Sequence, residues 1–129
     1  MIPKPRIGAI VFNVADLARS EAFYRDRIGL PLVRQAGDAH TNGDFLLAVL
    51  DGGVEVLFFQ GETSPGNSPV VVFDLAEGGI DTVVEALARA GVPIVTPVSE
   101  APGGWTADFA DPDGHVLSMY QAGTLPRAA

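Results

Sequence analysis

One order of elements is written twice into this chain, and that repetition constrains its fold more than any other feature. In the first half, Ile7, Ala9, Val11 and Asn13 alternate with Gly8, Ile10, Phe12 and Val14, the period of a buried strand. Asp16 then suits a helix N-cap, where a carboxylate accepts from free amides of the first turn. Leu17 to Arg27 reads as the helix, with Leu17, Phe23, Tyr24 and Ile28 as its apolar positions. Gly29 stops it and Pro31 prevents its resumption. Three short β segments follow, Leu32 to Ala36, Phe45 to Leu50 and Val54 to Gln60, the last two joined by the turn Asp51-Gly52-Gly53.

Gly61 to Pro69 reads as a linker, after which the order begins again. Val70 to Leu75 is apolar apart from Asp74, and Ile80, Val83, Val84 and Leu87 form a helical stripe at i, i+3, i+4 and i+7. Glu77 and Asp81 stand at the positive start of this helix and Arg89 near its negative end, with Gly91 and Pro93 beyond. Ile94 to Val98 is a further strand. A hairpin from Gly104 to Gln121 turns at Asp111-Pro112-Asp113-Gly114, with Trp105, Ala107 and Phe109 alternating on one arm and Val116, Ser118 and Tyr120 on the other. The expectation is an α+β fold of two βαβββ modules, residues 6–60 and 69–121, in a single domain 1–129 with a C-terminal tail at 122–129.

Composition removes several function classes. A chain of 129 residues has the length of one domain with one core. It contains no cysteine, so thiol nucleophiles, thiolate metal sites and disulfides are absent. Sixteen acidic against eight basic residues give a formal charge of −8, the wrong sign for a nucleic-acid partner. Such charge favours a cationic ligand by long-range attraction, with solubility as the plainer reading. No apolar run approaches the roughly 20 residues of a membrane span, and the first residues lack a signal-peptide apolar region. A cytoplasmic protein without membrane contact is expected.

Three local patterns resemble the vicinal oxygen chelate superfamily, which includes glyoxalase I, bleomycin-resistance proteins, fosfomycin-resistance enzymes and extradiol dioxygenases. Val14-Ala15-Asp16-Leu17 through Ser20, Phe23 and Tyr24 to Ile28-Gly29-Leu30 is similar to the family's V-x-D-L-x-x-S-x-x-F-Y segment and its L-G-L ending. Asp111-Pro112-Asp113-Gly114-His115 resembles its closing D-P-D-G-N turn, and the second helix running into Ala90-Gly91-Val92 its L-x-x-x-G-V. The resemblance implies two βαβββ modules whose sheets curl around a cleft, in a homodimer.

It also implies where metal ligands would stand, and those positions hold the wrong residues. The two histidine positions fall on Ala9 and Val70, and the closing glutamate position on Ser118. Alanine and valine cannot ligate, and a neutral serine hydroxyl is a poor ligand beside a carboxylate or imidazole. The remaining position, in the fourth strand, falls on Glu55 or Val56, and a solitary Glu55 would not hold a divalent cation. The histidines offer no replacement. His115 follows the turn glycine, where a polar side chain satisfies turn backbone, and His40 lies near Asp38 and Asp44 at no spacing that sets a geometry.

Strand parity from Ala9 places Val11 and Asn13 on the cleft side, with Val72 and Asp74 beside Val70 and with Tyr120 and Val116 beside Ser118. Such a site is apolar with a few polar groups, suited to an organic ligand. Trp105 stacks on the ligand or, alternatively, belongs to a core or dimer interface. Of Phe58 and Phe59, one points to the core and the other to the cleft. No nucleophilic constellation is present. Asp74 and Tyr120 are the nearest to catalytic candidates, Asp74 as a general base unless a neighbouring donor pairs it. The expected function is metal-independent binding of a small organic molecule, cationic or aromatic, such as an antibiotic. The alternative is a lyase, isomerase or dioxygenase with a divalent metal in a non-standard site.

Overall fold

The computed structural model describes residues 1–63, 68–110 and 114–128, apart from the side chain of Arg27. Residues 64–67 of the linker and 111–113 of the closing turn lie outside the described residues. The chain divides into two compact units, one from Gly8 to Val70 and one joining Met1–Ile7 to Val71–Ala129.

The first unit holds β1 (Ile7–Val14), α1 (Leu17–Ala22), β2 (Val33–Gln35), β3 (Phe45–Val49) and β4 (Glu55–Gln60). Its sheet runs in the order β2-β3-β4-β1, antiparallel except for the parallel pair β1–β4. Asp16 caps α1 as expected, its carboxylate accepting from the Arg19 amide at 3.0 Å. Gln60, at the end of β4, adds a second cap, its Oε1 accepting from the Leu17 amide at 3.1 Å. The helix widens after Ala22 into a π-helical run, Phe23–Ile28, before Gly29 ends it at φ 87°. This helix side carries the core: Leu17, Leu46, Val56 and Phe58 are buried, with Phe12 and Tyr24 packed on Phe58 at ring-centroid distances of 5.1 and 4.5 Å.

The second unit holds β5 (Val70–Asp74), α2 (Ile80–Arg89), β6 (Ile94–Ala101), β7 (Gly104–Ala110) and β8 (Val116–Ala122). Its order is β5-β8-β7-β6, again with one parallel pair, β5–β8. Here the helix begins at Gly79 with φ 83° and no side-chain cap of its own. Three first-turn amides find acceptors farther along the chain: Gly79 on the Pro126 carbonyl at 2.7 Å, Ile80 on Gln121 Oε1 at 2.8 Å and Asp81 on the Arg127 carbonyl at 2.9 Å. Residues 123–127 thus complete α2 instead of trailing from it. Ile80, Val83, Ala107, Phe109 and Met119 are buried between α2 and its sheet.

Both modules therefore follow the expected order, and the fold is α+β. Besides the π-helical run, the sequence pattern did not indicate a 3₁₀ turn at Ala39–Thr41, where Asp38 accepts from the His40 amide at 2.8 Å. Asp38 is a turn-building residue there, which gives it a backbone role.

Candidate functional site

Each sheet has one face under its helix and one open face, and residues paired across strands share a face. In the first module β1 and β4 pair in the register Ala9↔Glu55, Val11↔Leu57 and Asn13↔Phe59. Phe12, Val56 and Phe58 lie on the helix side, so these six residues lie on the open face. Phe58 is the core member of the adjacent phenylalanine pair, and Phe59 meets Phe45 of β3 at 5.2 Å between ring centroids. Farther along this face Val33 and Val49 are 57% and 56% exposed. It is an apolar surface with Asn13 at one end and Glu55 at the other.

The second module presents a different open face. Leu117, Met119, Phe73, Ala107 and Phe109 pack under α2, which leaves two ranks of residues, polar apart from Val72, on the opposite side. One rank runs Asp74, Tyr120, Thr106 and Ser99, and the next runs Val72, Ser118, Asp108 and Thr96, as the registers of β5–β8, β7–β8 and β6–β7 align them.

The geometry gives each of these groups a definite state. Asp74 is ion-paired with Arg6, so the donor that would neutralise it is present. The Tyr120 hydroxyl donates to the Pro102 carbonyl at 2.9 Å. A side chain at Gly104 would collide with the Gln121 backbone carbonyl and come within 2.9 Å of the Tyr120 hydroxyl, which explains a glycine at the start of β7. Ser118, 5% exposed, donates to the Ala107 carbonyl at 3.2 Å. Thr106 lies 3.2 Å from the Ser118 hydroxyl and 3.0 Å from the Met119 carbonyl. With one proton on each hydroxyl, only two of these three contacts are made at once.

The positions at which the family resemblance implies metal ligands can be compared through the repeat itself. Val11 pairs with Leu57 as Val72 pairs with Ser118, so Leu57 is the first module's equivalent of Ser118, and Ala9 that of Val70. The four equivalent positions thus carry Ala9, Leu57, Val70 and Ser118, three hydrocarbon side chains and one hydroxyl. This set does not fit a divalent cation. Val56 is buried under α1, and Glu55 has Ala9 and Val49 as its cross-strand neighbours, neither with a ligand atom. Among the described residues no three His, Cys, Asp or Glu side chains gather as a metal group would require.

Trp105 is partly buried. It packs on the α2 side with the core, and the Arg127 guanidinium lies over its ring at 4.1 Å from the centroid. Asn13 donates its backbone amide to the Ser68 hydroxyl at 3.0 Å. Thr106 and Asp108 are the open-face residues that sequence reasoning passed over. Their signal was available, since the apolar set Trp105, Ala107 and Phe109 matches the buried Met119 and leaves the intervening polar residues for the other face.

Solved structures share this architecture. Methylmalonyl-CoA epimerase from Mycobacterium tuberculosis is similar at 16% identity, covering 95% of this chain and 93% of its own, with a TM-score of 0.69. A hypothetical protein from Bacillus halodurans C-125 is similar at 14% identity, covering 92% and 95%, with a TM-score of 0.71. A glyoxalase/bleomycin resistance protein/dioxygenase superfamily member from Vibrio splendidus 12B01 is similar at 19% identity, covering 92% and 99%, with a TM-score of 0.55. At such identities the likeness shows the fold alone. No curated protein matches the chain at a significant level. A family model matches residues 6–119, nearly the whole chain, and the chain belongs to the family it describes, the Glyoxalase/Bleomycin resistance protein/Dioxygenase superfamily.

Proposed function

We propose that this chain binds and sequesters a small organic molecule, an antibiotic among the candidates, without a metal at the family's ligand positions and without transforming what it binds. The observation that carries the reading is the set Ala9, Leu57, Val70 and Ser118. Three of these side chains offer no lone pair, and the fourth is a neutral hydroxyl, a weak ligand without a carboxylate or imidazole beside it.

The polar open face of the second module is the proposed binding surface, with Val72, Asp74, Ser118 and Tyr120 joined by Thr106 and Asp108. A few fixed polar groups beside apolar area orient an organic ligand. Val11 and Asn13 hold the corresponding places in the first module. Two further features of the catalytic candidates support binding over proton transfer: Asp74 is engaged by Arg6, and Tyr120 is engaged by Pro102. We take the working unit to be a cytoplasmic homodimer, in keeping with the absence of cysteine and the exposed Val33 and Val49.

A thermal-shift screen against antibiotics and aromatic metabolites, run in excess EDTA, tests this reading. A ligand bound only by the folded state at a hundred times its Kd adds about 2.7 kcal/mol of stability, so the melting temperature rises with chelator present. Ligand-induced shifts that vanish in EDTA and return with a divalent metal would overturn the proposal. They would favour a lyase, isomerase or dioxygenase with an unusual metal site.

A further inference from the structure

The second module's open face is short of available protons, and that shortage says what kind of group it receives. Five hydroxyls lie on it, and four of them, all but Thr96, are hydrogen-bonded within the protein. Ser99 donates to the Pro97 carbonyl at 2.7 Å, Ser118 to the Ala107 carbonyl at 3.2 Å and Tyr120 to the Pro102 carbonyl at 2.9 Å. Thr106 gives its proton to Ser118 or to the Met119 carbonyl. A hydroxyl that has donated can still accept through its oxygen. The cation at this face, Arg6, is already matched to Asp74.

Asp108 stands among these groups, between Thr96 and Ser118 in the cross-strand register and partly buried. An ionised carboxylate only accepts, and no cation of the described residues is paired with this one. Of the hydroxyls in its rank, Ser118's is spent on Ala107, which leaves Thr96 as the neighbour able to donate. The face is therefore rich in acceptors and negative where Asp108 stands.

We propose that Asp108 is the specificity-determining residue of the ligand surface, and that it selects molecules carrying an ammonium, amidinium or guanidinium group. The proposal rests on the binding reading above and adds the class of ligand. A cationic N–H group would give Asp108 a charge-assisted hydrogen bond, which neutral or anionic ligands cannot supply. An anionic ligand would meet the carboxylate with no free donor beside it except Thr96.

Three fluorescent dyes separate the possibilities: 4′,6-diamidino-2-phenylindole, a cation with amidinium N–H donors, anionic 8-anilinonaphthalene-1-sulfonate and neutral Nile red. They are titrated into wild type, Asp108→Asn and Asp51→Asn in EDTA. Asp51→Asn removes the same charge from an exposed turn and so measures the effect of net charge alone. The diamidine dye is expected to bind wild type and Asp51→Asn alike and Asp108→Asn roughly tenfold to a hundredfold more weakly, the range for a hydrogen bond to a charged group. Nile red should bind all three proteins equally. Nile red binding with no preference for the diamidine dye, or with equal losses in both variants, overturns the role of Asp108 and leaves the binding reading in place. Failure of all three dyes to bind wild type overturns both.

Discussion

The two modules share a frame and differ in what they show on their open faces. In each, a helix covers one side of a four-stranded sheet, and a glutamine at or next to the end of the last strand accepts from the first helical amide, Gln60 on Leu17 and Gln121 on Ile80. The equivalent open-face positions are Val11, Leu57, Asn13 and Phe59 in the first module and Val72, Ser118, Asp74 and Tyr120 in the second. One face is apolar and the other polar. The frame depends on positions under the helices, so the open faces are free to diverge, and the chemical discrimination is concentrated in the second.

The largest expected effects test whether the frame is equally strong in both halves. Phe58→Ala empties a fully buried position stacked between Phe12 and Tyr24, and Met119→Ala does so under α2. Each should cost about 2–5 kcal/mol in urea unfolding. A loss below 1 kcal/mol for either would show that the modules are not built alike.

The glutamine caps should separate the halves. Gln121 is fully buried, and its Nε2 also donates to the Leu125 and Pro126 carbonyls at 3.1 and 3.4 Å. Gln121→Ala leaves buried groups unsatisfied and should cost about 2–3 kcal/mol. Gln60→Ala should cost about 0.5–1 kcal/mol, because Asp16 still caps α1. Equal losses would contradict the view that α2 depends on contacts from the end of the chain.

A smaller effect probes that same contact. Arg127 lies over Trp105 and bonds Asp81 through both Nε and Nη2, at 3.2 and 2.9 Å. Arg127→Ala should lower stability by about 1 kcal/mol and change the emission of the single tryptophan. Unchanged emission would mean that the guanidinium is not on the ring in solution.

The smallest effect is electrostatic and belongs to the first module. The hydrogen bond from Arg34, supported by Arg25, holds the Glu21 carboxyl below its ordinary value of 4.5. A carboxylate with a depressed folded-state pKa stabilises the fold above its unfolded pKa, and the contribution is lost as pH falls through the folded value. Glu21→Gln should therefore cost less than about 1 kcal/mol near pH 7 and nothing once the wild-type carboxyl is protonated. A difference that grows on acidification would reverse the sign and refute the assignment.

Much of this was legible in the residues. Strand β1 runs over the expected Ile7–Val14, Asp16 caps α1, and the stripe from Ile80 to Leu87 faces its core, because periodicity and capping are local properties. What resisted reading depended on pairing between distant residues. The side taken by Trp105 follows from the register Trp105↔Gln121, and alternation within one strand cannot supply it. The fourth-strand position, expected at Glu55 or Val56, likewise needed the β1–β4 register, which puts Leu57 opposite Val11 as Ser118 stands opposite Val72. The proton economy of the polar face was least visible of all, because it is set by backbone carbonyls from other strands.

The central claim is that binding here proceeds without the family's metal, and elemental analysis tests it most directly. Protein purified without chelator is measured by plasma mass spectrometry for nickel, zinc, manganese and iron. The account predicts far less than one ion per chain, before and after incubation with each metal and desalting. One tightly held ion per chain would contradict it.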